Sequence, residues 1–551
     1  MRYFLLLIAM GLIYGNLNAQ TYQFLGSKLY GGTESEEGIN LLKVSESKLL
    51  LVGLSNSDIS GNKTTTRCTI PNLNYEDIWL VMVNTSFDIL WQKSLGGNNE
   101  EFHPMAINAG NGQILASAIS ISDSSCTRNT QKKGVTDIML YMLDSLGGII
   151  WEKNIGGIDD CYGNKIAKLS DGNFILLTST YSEIGNDKTS PSKGNRDIWL
   201  IKFDRNGNII FDKTYGGNQF EQPLLLSNLL KLDFIESNAN ELVVFSNSIS
   251  SNSFDVSDTS HGGYDFWMFK IDSLGNKLTD FCYGGTNSEA FGTSSKSSNG
   301  YLLGGSTSSP QSGSISQPPL PPFHLSGWII SVDSSVNKTW DRRYESGAPS
   351  TVIGGNPLMA ILDIIPASNG EYWVTAFCNT LAGNDVTEPP YGKDDAWVFK
   401  MNSSGAIIWD KRFGSTTRAR PVNSVLMADS SIFLFCSADT GITNVKSEHG
   451  YGKADYYLVH FRYANTTPLS EIEFKQSQIQ LYPNPTKDIV NVNYLDGALP
   501  DKLEMYDVQG KLLRSFNAEN NSIDVSHLSP SIYIIKFVYT EGAIFKKFVK
   551  Q

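Results

Sequence analysis

The chain has 551 residues, of which 11% are aromatic and 18% are charged, a composition typical of a folded protein with a large core and room for a second domain. Helix-forming residues are scarce beside 49 glycines and many Ser, Asn and Thr residues, which favours an all-β fold with many turns. The formal net charge of −12 would repel a polyanion, which argues against nucleic acid and anionic membranes as partners.

The amino terminus, MRYFLLLIAMGLIYGNLNAQ, places one arginine before an apolar run from Tyr3 to Tyr14. The run is too short to cross a bilayer and is typical of a secretory signal peptide, the alternative being a buried first strand. We predict a signal peptide over residues 1–19 and an exported protein. Since no other stretch reaches the roughly 18 apolar residues that a membrane helix needs, no transmembrane segment is expected in the mature chain.

A sequence motif recurs through residues 20–463: a strand-like segment with aromatic residues that ends in a glycine pair, as in IIFDKTYGG. The first glycine of the pair, or the residue aligned with it, falls at Gly31, Gly96, Gly156, Gly216, Gly284, Glu345 and Gly414. Each period contains four strand-like segments bounded by Gly, Asn and Asp turns. The third segment, as in DIWLIKF, is apolar on both faces, so it should be covered on both sides. Repetition of this kind decides the fold.

The two ends of the repeat complement each other. The mature chain opens with TYQFLGSKLYGG, a lone fourth strand, and the last repeat closes with DYYLVHFR, a third strand without a fourth. Pairing these two segments would close a ring and leave no long edge unpaired. An open solenoid would instead need distinct polar caps. We therefore predict an all-β fold, with a seven-bladed β-propeller over residues 20–463 closed by its amino-terminal strand.

The pattern D-x-W-x-x-K-x-D-x-x-G-x-I-x-W-x-K-x-Y-G-G, matched best at residues 197–217, resembles the seven-bladed propeller repeat of many secreted bacterial proteins. Blade five departs most, with Gly327 interpreted as the replacement for the aspartate before Trp328, and Glu345 as the replacement for the first glycine. The resemblance implies the fold but no activity, because propellers host unrelated functions.

After a polar linker over residues 464–478, residues 479–551 read as short alternating strands, which predicts a small antiparallel β-sandwich. The motifs of this segment resemble the type A sorting domain of the type IX secretion system. They are YPNP (Tyr482, Pro483, Asn484, Pro485), DVQGK (with Asp507, Gly510, Lys511), LSPSIYIIKF and the terminal KKFVKQ. The resemblance implies export through the periplasm, with the secretion machinery as partner, and removal of this domain as the propeller is released or anchored at the cell surface. The alternative is an ordinary carbohydrate-binding or adhesive sandwich.

Tight turns between strands should share one face of the disc, and long variable loops the other, where binding sites usually form. Acids follow the glycine pairs on that face at matching offsets: Glu36, Glu101, Glu221 and Glu289, with Asp160 one position earlier. They could line the mouth of the central channel as a site for cations or hydroxyl-rich ligands. Alternatively, each carboxylate caps backbone N–H groups or bonds to the next blade, which their repetition favours.

Of six cysteines, Cys68 and Cys126 occupy comparable loops of blades one and two, and we predict a disulfide between them. The other four should be buried thiols. We expect no cofactor and no specific metal site, although the loops SNSDISGN and SEIGNDKTS could hold a structural Ca²⁺ through oxygen ligands. No HExxH, P-loop or GxSxG sequence is present, so no catalytic residue is predicted.

These patterns favour an exported, monomeric and non-enzymatic propeller that recognises a glycan or a protein at the cell surface. One alternative is an extracellular carbohydrate-active enzyme, in which two carboxylates at the channel mouth act as acid and base. Another is a structural surface component with no soluble ligand.

Overall fold

The computed structural model describes residues 21–68, 75–221, 231–237, 241–319, 325–347, 358–464, 479–494, 499–508, 511–517, 521–539 and 542–551. The chain divides into two compact units, one over Phe24–Arg462 and the other made of Met1–Gln23 and Tyr463–Gln551. The predicted signal peptide and linker residues 465–478 lie outside the described residues. Within the described ranges, no helix is long and apolar enough to span a membrane.

The larger unit consists of four-stranded antiparallel sheets, the blades, in which strands follow chain order from the innermost to the outermost. The strands of blades 1 to 3 are β2 Glu36–Ser45, β3 Lys48–Ser55, β4 Asp77–Asn84 and β5 Ile89–Leu95; β6 Glu101–Gly110, β7 Gln113–Ser120, β8 Asp137–Leu143 and β9 Ile149–Ile155; β10 Cys161–Lys168, β11 Phe174–Thr180, β12 Asp197–Phe203 and β13 Ile209–Tyr215.

The strands of blades 4 to 6 are β14 Asp233–Glu236, β15 Leu242–Ser248, β16 Asp265–Ile271 and β17 Lys277–Tyr283; β18 Glu289–Lys296, β19 Gly300–Thr307, β20 Ser326–Asp333 and β21 Lys338–Tyr344; β22 Met359–Pro366, β23 Tyr372–Cys378, β24 Asp395–Met401 and β25 Ile407–Phe413. One 3-10 turn, Ser368–Gly370, joins β22 to β23.

The seventh blade contains strands from both ends of the propeller. Strands β26 Ala419–Leu426, β27 Ser431–Asp439 and β28 Ala454–Ala464 come from the last repeat, and β1 Thr21–Tyr30 adds to β28 as the outermost strand. The prediction of seven blades closed by the amino-terminal strand is confirmed.

The core of the propeller lies between adjacent blades, because the third strand of each sheet is covered on both faces. Its tryptophans are fully buried, as in Trp199 and Trp267, and each buried side chain of this size contributes about 2 to 3 kcal/mol of hydrophobic stabilisation. The indole N–H of Trp199 donates to Asp212 of the fourth strand at 2.9 Å, and Trp267, Trp328 and Trp397 have equivalent aspartates. These bonds explain why an aspartate recurs at this position of the fourth strand.

The disc has two different faces. On the turn face, tight turns join the first strand to the second and the third to the fourth. In the turn between β12 and β13, Asp204 Oδ1 accepts the N–H groups of Asn206 and Asn208, and Gly207 has φ +75°, a conformation that favours glycine. On the loop face lie the long loops between second and third strands and the crossings to the next blade.

The C-terminal unit contains two antiparallel sheets, ordered β29-β30-β33 and β32-β31-β34-β35. Its strands are β29 Ile479–Tyr482, β30 Ile489–Tyr494, β31 Lys502–Asp507, β32 Leu512–Asn517, β33 Ser522–Asp524, β34 Ser531–Tyr539 and β35 Gly542–Lys550. Residues from both sheets, among them Val490, Leu503, Ile535 and Phe548, form one buried core. The unit is the predicted small β-sandwich.

Blade 5 requires a correction to the sequence interpretation. Thr307 pairs with Ser326 as Thr180 pairs with Asp197, so Ser326, and not Gly327, replaces the aspartate. Glu345, at the position of the first glycine, supplies the missing carboxyl: its Oε1 accepts the Ser326 hydroxyl at 2.8 Å and lies 3.8 Å from Arg343 Nη1. The two departures from the repeat therefore compensate each other.

Candidate functional site

The four predicted glutamates are enclosed within the blades. Glu36, Glu101, Glu221 and Glu289 are at most 1% exposed. Glu289 accepts the N–H of Gly285 at 2.9 Å and the hydroxyls of Thr307 and Ser309 at 2.7 and 2.6 Å, and the other three have equivalent Ser or Gly donors. The arrangement is the structural alternative considered above, in which each carboxyl fastens a crossing loop to its blade.

Each of these glutamates also faces a second carboxyl, that of the aspartate which begins the third strand of the preceding blade. A Cβ built on Gly216 would lie 2.0 Å from Asp197 Oδ1 and 2.7 Å from Glu221 Oε2. The same holds at Gly31, Gly96 and Gly284. At these four positions glycine recurs because two carboxyl groups lie where a side chain would begin, whereas at Gly156 and Gly414 the aspartate alone occupies that space.

The paired carboxyls favour a bound proton. Burial raises the pKa of Glu289 to about 7, and burial together with the charge of Glu36 raises that of Asp455 to about 7. Burial also raises the pKa of Glu101 and Glu221, to which the neighbouring aspartates add. A proton held between the facing oxygens satisfies both groups.

The junction between blades 2 and 3 differs. Cys161 is the residue equivalent to the glutamates, and burial raises the pKa of its thiol to about 12, which keeps it uncharged. The aspartate of this junction, Asp137, instead pairs with the fully buried Arg128 at 2.9 Å. Asp160, the predicted acid of this blade, is only half-buried and accepts the hydroxyl of Tyr162 at 3.2 Å.

The central channel encloses a cavity of about 740 Å³. Strand pairing places one residue of each innermost strand at the same level: Asn40, Met105, Lys165, Asp233, Thr293, Asp363 and Asn423. In six of these strands the register shifts just before that residue, and such bulges redirect side chains. We call this set the channel ring.

The channel ring connects neighbouring blades. Oxygens of Asn40, Asp233, Asp363 and Asn423 each accept the backbone N–H that follows the ring residue of the next blade, at 2.7 to 3.2 Å. Lys231, which precedes blade 4, makes a longer connection: its ammonium group passes blade 5 and donates to the carbonyl of Leu362 in blade 6 at 3.0 Å. Burial lowers the pKa of Lys231 and raises that of Asp363. Since Lys165 pairs with Asp233 at 2.9 Å, positive and negative groups alternate along this wall.

A second set of residues departs from the repeat at the loop-face ends of blades 3 and 4. Arg196 is 1% exposed, and its guanidinium carbon lies 5.0 Å from the ring centre of Tyr162 and 5.7 Å from that of Tyr181. Tyr181 meets Phe220 edge to face at 6.4 Å, and Tyr264 lies within electrostatic range of Arg196. These five residues form the Arg196 cluster, in which the four aromatic side chains are half-buried.

The guanidinium of Arg196 has unused donors. Among the described residues, its Nε and Nη2 have no hydrogen-bond acceptor. Burial lowers its pKa, whereas the tyrosines and Glu221 act in the opposite direction. A buried cation of this kind is costly unless an anion or a π face compensates it. The site therefore combines aromatic surface with an incompletely satisfied positive charge.

The sequence analysis missed the Arg196 cluster. The residues equivalent to Arg196 in the other blades are Glu76, Thr136, Tyr264, Leu325, Asp394 and Ala454, so the position varies within a regular scaffold. Comparing the seven repeats column by column would have marked it. That comparison separates residues that build blades from those free to vary.

Cys68 and Cys126 form a disulfide between the loops of blades 1 and 2, with their Cα atoms 5.6 Å apart. Cys161, Cys282, Cys378 and Cys436 are buried and free. Within the described ranges, no group of three or more His, Cys, Asp or Glu side chains could hold a metal ion. Calcium binding by the two acidic loops stays a prediction.

In the C-terminal unit, the YPNP motif is joined to the end of the chain. Asn484 donates to the carbonyl of Lys547 at 3.1 Å and accepts the N–H of Val549 at 2.9 Å. Asp507 accepts the N–H of Lys511 at 2.9 Å and so closes the DVQGK turn. Gly510 lies outside the described residues. The motifs at the two ends of the domain are thus parts of one hydrogen-bonded structure.

Residues 480–551 match the family model described as the secretion system C-terminal sorting domain. This domain is a sorting domain of the type IX secretion system. A chain with this sorting domain is exported by that system to the cell surface or the medium, as predicted. No curated protein matches the chain.

Among solved structures, the Neurospora crassa Pan2 WD40 domain is similar at 9% identity and TM-score 0.39, covering 80% of this chain and 96% of its own. An α-L-arabinofuranosidase from Fusarium graminearum is similar at 13% identity and TM-score 0.37, covering 68% and 94%. PorZ, a surface component of the type IX secretion system of Porphyromonas gingivalis, is similar at 11% identity and TM-score 0.24, covering 97% and 85%. At these values the similarities carry no functional argument.

Proposed function

We propose that this exported protein is a non-catalytic recognition platform, whose ligand site is the Arg196 cluster on the loop face. The observation that carries the proposal is a half-exposed aromatic surface over a buried guanidinium, built from residues that break the repeat. Binding sites combine apolar surface with a few placed polar groups, and loops on a rigid scaffold commonly supply them. The C-terminal domain directs export and takes no part in ligand recognition.

The five acids named in the sequence analysis do not support the enzymatic alternative. An acid and base pair needs two carboxyl groups that reach the substrate. Four of the five are enclosed in blade junctions, where protein donors use their oxygens, and Asp160 stands alone. A binding role therefore agrees better with this loop face.

The test is a glycan and protein binding screen on the exported protein, with Tyr181→Ala compared with the wild type. Loss of the retained ligand in Tyr181→Ala, with binding kept in the control Leu274→Ala, supports the proposal. Leu274 is a matched control because it is apolar, 69% exposed and located in a tight turn of the opposite face. If both variants bind like the wild type, or if the protein cleaves a polysaccharide it does not retain, the proposal is wrong.

A further inference from the structure

The central channel contains two charged groups that lie close together without forming an ion pair. Lys231 and Asp363 both line the cavity, and the ammonium group of Lys231 bonds to the carbonyl of Leu362, the residue before Asp363. Within the described ranges, however, the ammonium group and the carboxylate of Asp363 do not pair. The other two charges of this wall differ, because Lys165 and Asp233 pair directly at 2.9 Å.

The anchoring of the two groups explains why they do not meet. Asp363 lies in β22, and its Oδ2 accepts the N–H of Ser424 in blade 7 at 3.0 Å. Lys231 approaches from the other side, since its own N–H donates to the carbonyl of Phe291 in blade 5 at 3.3 Å. In the described part of the chain, the second oxygen of Asp363 and the remaining donors of the ammonium group have no protein partner. Both side chains are partly exposed and these atoms are not enclosed, so a ligand in the cavity can reach them.

The charges of Lys231 and Asp363 indicate the charges of a ligand. Burial lowers the pKa of Lys231 and raises that of Asp363, and the attraction between the two groups offsets this only in part. Each charge is therefore costly at this site. A ligand with a carboxylate for Lys231 and an ammonium group for Asp363 would offset both costs through charge-assisted hydrogen bonds. An anion alone would leave Asp363 uncompensated, and a cation alone would leave Lys231 so.

The surface beside the two charges is apolar. Lys231 and Asp363 each adjoin a buried leucine, Leu232 or Leu362, that also lines the cavity, as does Phe234. Such a surface favours contact with an apolar ligand group. The cavity volume of about 740 Å³ is in the range of small-molecule sites. A ligand with one positive and one negative charge is neutral overall, so the net charge of −12 does not repel it.

From these features we infer that the channel is a second binding site, independent of the Arg196 cluster, which binds a free α-amino acid with an apolar side chain. The carboxylate of the ligand pairs with Lys231, and its ammonium group pairs with the open oxygen of Asp363. Both groups of an α-amino acid are attached to one carbon, so they suit two protein charges that lie close together without meeting. The apolar side chain lies against Leu232 and Phe234.

Isothermal titration of the exported protein with leucine tests the inference. Isocaproate is leucine without the ammonium group, and isoamylamine is leucine without the carboxylate. We expect leucine to bind at least about tenfold more tightly than either analogue, because each lacks one charge-assisted contact. Lys231→Met should remove the advantage of leucine over isoamylamine, and Asp363→Asn its advantage over isocaproate. The controls Lys48→Met and Asp123→Asn make the same changes at exposed residues and should bind leucine like the wild type.

If the wild type binds either analogue as tightly as leucine, the inference is overturned. An unchanged preference in folded Lys231→Met or Asp363→Asn overturns it as well, and circular dichroism spectra establish which variants are folded. If neither leucine nor phenylalanine binds, or if aspartate binds more tightly than leucine, the assignment of an apolar amino acid is wrong. Tyr181→Ala should bind leucine like the wild type, so the proposed function is judged separately, by the ligand found in the screen.

Discussion

Replacing Glu289 by glutamine should remove one proton site from the propeller without changing the shape of the side chain. Glu289 faces Asp265 across Gly284, and the charge of Asp265 adds to the effect of burial on Glu289. His261 Nδ1 lies 3.5 Å from Asp265. Burial raises the pKa of Glu289 from its ordinary 4.5 to about 7. The folded protein therefore holds a proton that the unfolded chain loses between these two pH values.

The size of the effect follows from this difference. Each pH unit between the folded and unfolded pKa corresponds to about 1.4 kcal/mol, so Glu289 contributes about 3 kcal/mol of pH-dependent stability. Because its folded pKa is raised, the contribution is complete below pH 4.5 and is lost as the pH rises to about 7. The Glu289→Gln protein lacks this contribution, so its free energy of unfolding should depend less on pH over that interval.

Urea unfolding followed by tryptophan fluorescence, between pH 4.5 and 8, measures the difference. The wild type should lose up to about 3 kcal/mol more than Glu289→Gln as the pH rises. Glu183→Gln is the control, since Glu183 is an exposed loop residue, and its curve should run parallel to the wild type. Parallel curves for Glu289→Gln and the wild type would refute the shared proton.

Three further predictions concern stability in urea. Gly216→Ala should cost roughly 1 to 3 kcal/mol, because its Cβ meets both carboxyls, and the open-turn control Gly172→Ala about 1 kcal/mol; equal costs would contradict the close approach. Glu345→Ala should lower the free energy of unfolding by about 3 kcal/mol, because it leaves the buried Arg343 without its carboxylate. The double variant Ser326→Asp with Glu345→Gly should recover most of this loss. A double variant no more stable than Glu345→Ala would contradict the exchange. Replacing Cys68 and Cys126 by serine should cost about 4 kcal/mol for a loop of 58 residues, and an unchanged midpoint would show that the bond does not stabilise the fold.

The sequence predicted the features that repeat from blade to blade and missed the residues that depart from the repeat. Seven aromatic strands and two complementary ends were enough for the propeller, because alternation and turn residues are local signals. The sequence marked the glutamates by their matching offsets, but their burial against the aspartate of the preceding blade depends on a contact between blades. Arg196, Tyr181 and Phe220 come together only after folding, and none carries a motif. The exchange at Ser326 and Glu345 required strand pairing to align it.

The closure of the seventh blade has a consequence for how this molecule matures. Strand β1 starts at Thr21 and its partner β28 ends at Ala464. The first strand of the propeller therefore cannot pair until the last repeat has been synthesised, and the ring stays open until then. Such distant pairing slows folding. A chain truncated before Ala454 would leave β1 without its partner strand and would also lack the sorting domain at residues 480–551. Closure of the ring and delivery to the surface therefore both depend on segments that are made after the sixth blade.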